Sequence, residues 1–227
     1  MRASVACACV VLTTVVANLI IVGQTGLPAD DTAYLSWTTN TIEAITKKFR
    51  VNGQVGGSFD FRIRGTERAY NYKLRATWFT PEMIQASVRY WQLRERLSEE
   101  QTQALVAEAE AVGDTVVMVE LDPREGSGVI PSSWLAIFRA KGSSVEAKGM
   151  VVPALRSVKA LAGTVQRDYA YDVFWVVFPL VDEKGQSILP DSASEAELIV
   201  AIYNKQGKVT WQIPDSIRKK SRAGFNK

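Results

Sequence analysis

Residues 168–181 read DYAYDVFWVVFPLV, the longest aromatic and β-branched run of the chain beyond the N-terminus. Aromatic and β-branched residues favour strands. Apolar side chains fill both sets of alternating positions from Val173 to Phe178, so both faces of the strand require burial. The stretch therefore predicts a central strand of a sheet. That strand should end near Pro179, because proline has no N–H to donate to a neighbouring strand.

The composition is that of an ordinary globular protein, with 227 residues of which 47% are hydrophobic and 22% are charged. This length predicts one folded domain with a sizeable core. The formal net charge is +3, but residues 218–227 contain five cations and no acid, so removing them leaves −2. A nearly neutral body lacks the positive field that a nucleic-acid binder needs, and we predict no nucleic-acid partner.

Histidine is absent, and the only two cysteines, Cys7 and Cys9, lie inside the N-terminal apolar run. The rest of the chain cannot form a zinc site of the usual cysteine and histidine kind, a Ser-His-Asp triad or a thiol nucleophile. We therefore predict no catalytic residue, no metal site and no cofactor.

The N-terminus has the pattern of an export signal. Met1 and Arg2 precede an uncharged apolar run, residues 3–23. The run is longer than the usual signal core of roughly 7 to 15 residues, and about 20 residues suffice to span a bilayer. We assign residues 1–29 as a signal peptide or an N-terminal membrane anchor, with removal favoured. The sequence predicts a periplasmic or secreted protein, with anchoring by residues 3–23 as the alternative.

Short strands with turn residues between them dominate the remainder. The first predicted hairpin joins residues 49–64, in which Phe59, Phe61 and Ile63 alternate with charged residues, to residues 71–79. Residues 41–48 fit either a short strand or a helical turn. Further strands are predicted at 114–121, 134–140 and 144–152, and a final hairpin at 197–203 and 208–213 around a turn at 204–207.

Two helices interrupt the strands. Thr80-Pro81-Glu82 supplies a capping residue, a proline for the first turn and an acid, which is typical of a helix start. Ser98-Glu99-Glu100-Gln101 is a capping box that begins a second helix, and Gly113 ends it. The sequence thus predicts a two-helix hairpin inserted at residues 80–113.

Strands that do not alternate with helices favour antiparallel pairing. We therefore predict a mainly β protein, an antiparallel β-sandwich over residues 30–213 with the inserted helical hairpin, and an immunoglobulin-like topology as one option. The rival is an α+β fold with a single twisted sheet covered by the two helices. Residues 214–227 are predicted to be a flexible basic tail.

The first hairpin also supplies the candidate site. Arg62 and Arg64 share one face of its first strand, and Lys73 and Arg75 share one face of its second. Like charges on neighbouring strands repel, so four cations need water, acidic neighbours or an anionic partner. A solvated face is the simpler interpretation. The functional hypothesis is that Arg62, Arg64, Lys73 and Arg75 bind an anion or an acidic partner.

Pairs of acidic residues are the remaining candidates for catalytic groups. Glu120 and Asp122 share a strand face near the strand's end, whereas Glu108 and Glu110 diverge on a helix. Nothing in the sequence places either pair across a cleft, so catalysis is disfavoured.

The sequence leaves three candidate functions. We favour a non-catalytic, exported, envelope-associated module that binds a protein or an anionic envelope component. The alternatives are an extracytoplasmic, carboxylate-dependent hydrolase of glycosidase type and a membrane-anchored scaffold or assembly subunit.

Overall fold

The computed structural model describes residues 29–57, 71–123, 130, 132–162 and 171–225, and side chains within them from residue 32 to residue 221. The chain divides into two compact units, Met1–Thr32 and Ala33–Lys227. The predicted signal or anchor at residues 1–29 lies almost entirely outside the described residues. Within the described ranges, no helix is both long enough and apolar enough to cross a membrane.

The unit Ala33–Lys227 contains the helices and strands, whose bounds are as follows. The helices are α1 (Thr39–Phe49), α2 (Pro81–Glu95), α3 (Glu99–Glu110) and α4 (Asp215–Phe225). The strands are β1 (Arg50–Val55), β2 (Tyr72–Phe79), β3 (Thr115–Pro123), β4 (Leu135–Ala140), β5 (Glu146–Lys148), β6 (Met150–Val151), β7 (Asp172–Phe178), β8 (Glu195–Ile202) and β9 (Lys205–Gln212). Two 3-10 segments, Pro153–Ser157 and Lys159–Ala162, precede β7.

The strands form two antiparallel sheets. Sheet A has the order β1-β2-β3-β7-β6, and sheet B has the order β5-β4-β8-β9. The predicted antiparallel sandwich with a helical insertion is therefore confirmed, within an α+β fold that also contains α1 and α4. The strand order is not that of an immunoglobulin domain, in which strands A, B, E and D form one sheet.

Glycines bring the two sheets together along both sides of the sandwich. On one side, the Gly56 N–H of the chain leaving β1 donates to the Gln206 carbonyl of β9 at 3.2 Å. On the other side, the chain passes from β5 in sheet B to β6 in sheet A through Gly149. A Cβ at Gly149 would overlap with the side chains of Val176 and Phe178, so only glycine fits this crossing.

An aromatic cluster fills the space between the sheets. The Trp78 ring lies 5.2 Å from Phe138 and 5.7 Å from Trp211, measured between ring centroids. Each buried indole N–H has an acceptor. Trp78 Nε1 donates to Thr115 Oγ1 at 2.6 Å, and Trp211 Nε1 donates to the Phe49 carbonyl at 2.9 Å. The core therefore buries large aromatic surface without leaving these donors unsatisfied.

The middle strand of sheet A is β3, and the strand predicted within residues 168–181 is its neighbour β7, an interior strand and not an edge strand. Strand β7 spans Asp172–Phe178 and lies between β3 and the two-residue strand β6. Because β6 pairs only with Val176 and Val177, the first half of β7 is less covered. Trp175 is buried, but Phe174 on the opposite face is only half-buried. The strand does end before Pro179, as predicted.

Both predicted helix starts are confirmed. Thr80 Oγ1 accepts the Met83 N–H, and Ser98 forms the full capping box with Gln101. The ambiguous residues 41–48 lie within helix α1. Helices α1 and α2 contact β2, and the 3-10 segment Lys159–Ala162 accepts the Trp175 indole N–H through Leu161. These elements cover part of the outer face of sheet A.

The predicted flexible basic tail is instead helix α4 over residues 215–225. Ile217 is 1% exposed and Ser221 is also buried. Arg218 donates to the carbonyls of Asp191 and Ala193, and Lys220 Nζ donates to the Gly113 carbonyl at 3.1 Å. Ile217 and Ser221 lie one turn apart, so the segment has a buried face that its charge content concealed.

Candidate functional site

The outer face of sheet A divides into a covered apolar half and a polar half. In the covered half, Thr77, Met118 and Trp175 are buried, and Trp175 donates to Leu161 of the 3-10 segment Lys159–Ala162. The strand register places five charged residues and two amides in the other half of the same face: Arg50, Asn52, Gln54, Lys73, Arg75, Glu120 and Asp122. We call this set the sheet A charge cluster.

Glu120 is the centre of the sheet A charge cluster. The residue is only 4% exposed, although it lies on an outward face. One carboxylate oxygen, Oε2, is 3.3 Å from Arg50 Nη2, and the other, Oε1, is 3.6 Å from Arg75 Nη1. Two arginines from two different strands therefore share a single buried carboxylate.

Besides Glu120, two further groups orient Arg75. Its guanidinium carbon lies 4.4 Å from the centroid of the Tyr171 ring, and its Nε donates to Asn52 Oδ1 at 3.3 Å. A planar guanidinium that is stacked on a ring and held at Nε keeps a fixed orientation. Arg75 is thus prearranged, with Glu120 on one side and Tyr171 against its face.

Arg50 is the most desolvated cation of the cluster. Burial lowers the pKa of its guanidinium from the ordinary value, the charge of nearby Arg75 lowers it further, and Glu120 opposes both effects. Its Nε is buried and has no hydrogen-bond partner among the described residues. A buried donor without a partner costs free energy. This corner of the cluster therefore carries positive charge that a single glutamate compensates incompletely.

Lys73 and Asp122 form a second, more exposed pair at the end of the cluster. Lys73 Nζ lies 3.2 Å from Asp122 Oδ2, and the lysine side chain is 45% exposed. The register pairs Lys73 with Asp122 and Arg75 with Glu120 directly across β2 and β3. Opposite charges at such positions attract, which explains how two adjacent cations are tolerated on β2.

The predicted site residues are only partly brought together. Lys73 and Arg75 share one outward face, as the alternation predicted. Arg62 and Arg64, together with the alternating run at residues 59–63, lie outside the described residues. The acids that pair with Lys73 and Arg75 are Asp122 and Glu120 of β3.

Sequence reasoning missed Arg50 and Asn52. The first strand of the hairpin is β1, Arg50–Val55, which precedes the run at 59–63. A signal was present, because Val51, Gly53 and Val55 alternate with polar residues. The more apolar run downstream obscured it.

Glu120 and Asp122 do share a strand face, as predicted, and each is bound by a cation. In the part of the chain that the structure describes, no group of three or more His, Cys, Asp and Glu side chains is placed to hold a metal ion.

No protein-family model matches this chain, and no curated protein matches it. Among solved structures, the chain is similar to a crystal structure described as a novel protein of unknown function from Burkholderia pseudomallei. The match has 13% sequence identity and a TM-score of 0.36, and it covers 82% of this chain and 88% of the other. An identity and a TM-score this low do not show that the two chains share a fold or a function.

Proposed function

We propose that the protein is a non-catalytic, exported, envelope-associated module that binds an anionic component through the sheet A charge cluster. The observation that carries this proposal is that Arg50 and Arg75 share one buried carboxylate, Glu120. Three cations and two carboxylates make up the cluster, which leaves one positive charge in excess.

The geometry favours a carboxylate or phosphate group as the ligand. Arginine presents several N–H donors in one plane and binds such groups through two parallel hydrogen bonds. Arg75 already has a fixed orientation on Tyr171, so little side-chain entropy is lost when a ligand binds. An incoming anion would also reduce the excess positive charge around Arg50.

The placement of the acids supports binding over hydrolysis. A glycosidase needs two carboxyl groups on either side of the scissile bond. Glu120 and Asp122 instead project from one strand, and each lies against a cation on β2 or β1. Export rests on the N-terminal sequence alone, and membrane anchoring by residues 3–23 is compatible with the same binding role.

The full-length protein and its Arg75→Gln variant should be titrated by calorimetry with polygalacturonate, an acidic polysaccharide, and separately with phosphatidylglycerol vesicles. We expect the wild type to bind one of these ligands at low salt and to bind it more weakly at higher ionic strength. The variant should bind about tenfold more weakly than the wild type, because a hydrogen bond to a charged group contributes about 1.5 to 3 kcal/mol. Lys184→Gln, which changes an exposed lysine in a remote turn, is the matched control. Equal affinities of the wild type and Arg75→Gln would overturn the proposal.

Compartment is tested separately by the intact mass of the protein in soluble and membrane fractions of the native cell. A mass lacking the N-terminal segment in the soluble fraction is expected. A full-length mass in the membrane fraction would favour the anchored alternative.

A further inference from the structure

The outer face of sheet B carries an ordered array of side chains. Its inner face is formed by alternate residues of β4 such as Phe138, which is fully buried in the core. The other alternate residues, Leu135, Ile137 and Arg139, therefore point outward. The register places Ala201 beside Leu135, Ile199 beside Ile137 and Glu197 beside Arg139.

One end of this outer face is an apolar strip. Leu135 is 37% exposed, Ile137 and Ala201 are half-buried, and Met150 is 64% exposed. The Gly149 N–H donates to the Ala136 carbonyl at 2.9 Å, which extends the pairing of β4 and places Met150 next to Leu135. We define the sheet B strip as Leu135, Ile137, Ala201 and Met150. Met150 also pairs with Val177 of β7, so the strip lies where sheet B meets sheet A.

Two lysines lie at the ends of the row of paired residues that contains the strip residue Ile137, one on each edge of the sheet. Lys148 of β5 pairs with Ile137, and Lys208 of β9 pairs with Ile199, so a lysine, two isoleucines and a lysine lie in one row across four strands. Within that row Ile137 is half-buried and Ile199 is 5% exposed. Four strands place the two lysine backbones about 14 Å apart, since neighbouring strands are about 4.8 Å apart. An α-helix with its side chains is about 10 to 12 Å wide. The interval between the lysines therefore matches one helix.

The opposite end of the face is already neutralised by its own ion pairs. Arg139 Nη2 lies 2.9 Å from Glu197 Oε2, and Lys141 Nζ lies 2.7 Å from Glu195 Oε2. Lys148 and Lys208 have weaker ion pairs or none. Lys208 Nζ is 3.9 Å from Glu197 Oε1, and Lys148 has no ion pair among the described residues. The lysines beside the strip are thus accessible to carboxylates of a partner.

Sheet A shows how this protein covers the same kind of surface. The apolar half of its outer face, which includes Phe79 and Met118, is buried, and helices α1 and α2 contact β2, the strand that contains Phe79. In the sheet B strip, by contrast, Leu135 and Met150 are exposed and Ile137 and Ala201 are only half-buried. A helix packed on sheet B would bury it as α2 buries part of sheet A.

We propose that the sheet B strip, with Lys148 and Lys208, docks an amphipathic helix of a partner protein whose apolar stripe is bordered on both sides by Asp or Glu. The apolar strip receives the stripe of the helix, and each lysine faces one row of its carboxylates. This mode of recognition combines burial of an apolar stripe with charge matching at the rim. It is independent of the sheet A charge cluster.

The proposal is tested with two labelled synthetic helical peptides of about 18 residues that share one leucine stripe. One peptide borders the stripe with glutamates and the other borders it with lysines. Fluorescence anisotropy with the full-length protein should show the glutamate peptide binding at least about tenfold more tightly, since the two peptides differ only in their attraction to or repulsion from Lys148 and Lys208. The double variant Lys148→Glu, Lys208→Glu should reverse this preference. Leu135→Ser should weaken both peptides, and Lys184→Glu should change neither.

Thermal unfolding of each variant, compared with wild type, shows whether a lost affinity comes from a lost fold. Equal binding of the two peptides, or a preference unchanged by the double variant, would overturn the proposal. Sedimentation velocity tests whether the chain associates with itself, and phosphatidylglycerol vesicles test whether it binds a lipid surface. A self-association that Leu135→Ser abolishes would assign the strip to a second copy of the chain and would overturn it. Vesicle binding lost in the double variant, without peptide binding, would overturn it in favour of a lipid surface.

Discussion

Gly207 of β9 lies against the carbonyl group of Gln54 in β1, so closely that a methyl group at Gly207 would overlap with the Gln54 carbonyl oxygen. This contact is between backbones of the two sheets, and a few residues away the Gly56 N–H donates to the Gln206 carbonyl. Glycine at position 207 therefore sets how closely the two sheets approach on this side.

Gly207→Ala should destabilise the protein strongly, because the atom it meets is backbone and cannot rotate away. We expect a loss of about 2 to 4 kcal/mol in the free energy of unfolding, in the upper range for overpacking. Gly53→Ala is the matched variant, since its Cβ would meet the Val209 side chain at 2.7 Å, and a side chain can shift. Urea unfolding of both variants measures the difference. A smaller effect at Gly207 than at Gly53 would contradict the close backbone contact.

Glu120→Gln should destabilise the protein far more than Lys73→Gln. Loss of the Glu120 charge leaves Arg50 and Arg75 largely buried without a counterion, and removing one partner of a buried pair costs about 3 to 5 kcal/mol. Lys73 is well exposed, so its replacement should cost only about 0 to 1 kcal/mol. Similar unfolding midpoints for the two variants in urea would show that water, and not Glu120, compensates the arginines.

Trp175→Ala should cost about 3 to 5 kcal/mol, in the range for truncating a buried aromatic residue. Trp175 is buried and its indole N–H donates to the Leu161 carbonyl at 2.8 Å. Phe174→Ala should cost clearly less, because Phe174 is half-buried against Trp134 at the less covered end of β7. Thermal or urea unfolding compares the two, and equal losses would mean that both faces of β7 are equally covered.

Ile217→Ala should lower the free energy of unfolding by about 2 to 5 kcal/mol, since Ile217 is fully buried on the docked face of α4. Lys219→Ala, on the exposed side of the same helix, is the control and should stay within about 0.5 kcal/mol. Urea unfolding measures both. An unchanged Ile217→Ala variant would instead support the prediction that residues 214–227 are a flexible tail.

Lys220 should make stability rise with pH in the alkaline range. Burial lowers its folded pKa below the ordinary value of 10.5, although Glu110 and Asp114 oppose the shift. Between the folded pKa and 10.5 the unfolded chain binds more protons, so the free energy of unfolding increases with pH there and is flat below the folded pKa. Urea unfolding from pH 7 to pH 10 should show this rise relative to Lys220→Gln. A constant difference between the two proteins would contradict the shift.

Local signals in the sequence were sufficient for the features that depend on neighbouring residues. Thr80 and Ser98 are followed at the right spacing by the groups they cap, and Pro179 ends β7 through its own missing N–H. The final hairpin was also predictable from its alternation. Its turn, however, lies at Tyr203 and Asn204, because Gly207 is required within β9 against β1.

Features set by distant residues were not predictable in the same way. Strand β1 contains Gly53, a poor strand residue, because a side chain there would press on Val209 of β9. In the candidate site, the two faces that carry Lys73 with Arg75 and Glu120 with Asp122 were each recognised. The pairing of these two faces was not recognised, because α2 and α3 separate β2 from β3 in the sequence and no local pattern gives the register between the two strands.

The contact between β1 and β9 has a consequence for how the chain acquires its fold during synthesis. The two strands are separated by about 150 residues, and contacts between such remote segments slow folding because a large loop must close first. Until β9 emerges from the ribosome, β1 presents an open strand edge, which is the kind of surface that recruits strands from other chains. A nascent or truncated chain that lacks residues 205–212 is therefore exposed to aggregation through β1, whereas the completed chain covers that edge with its own last hairpin.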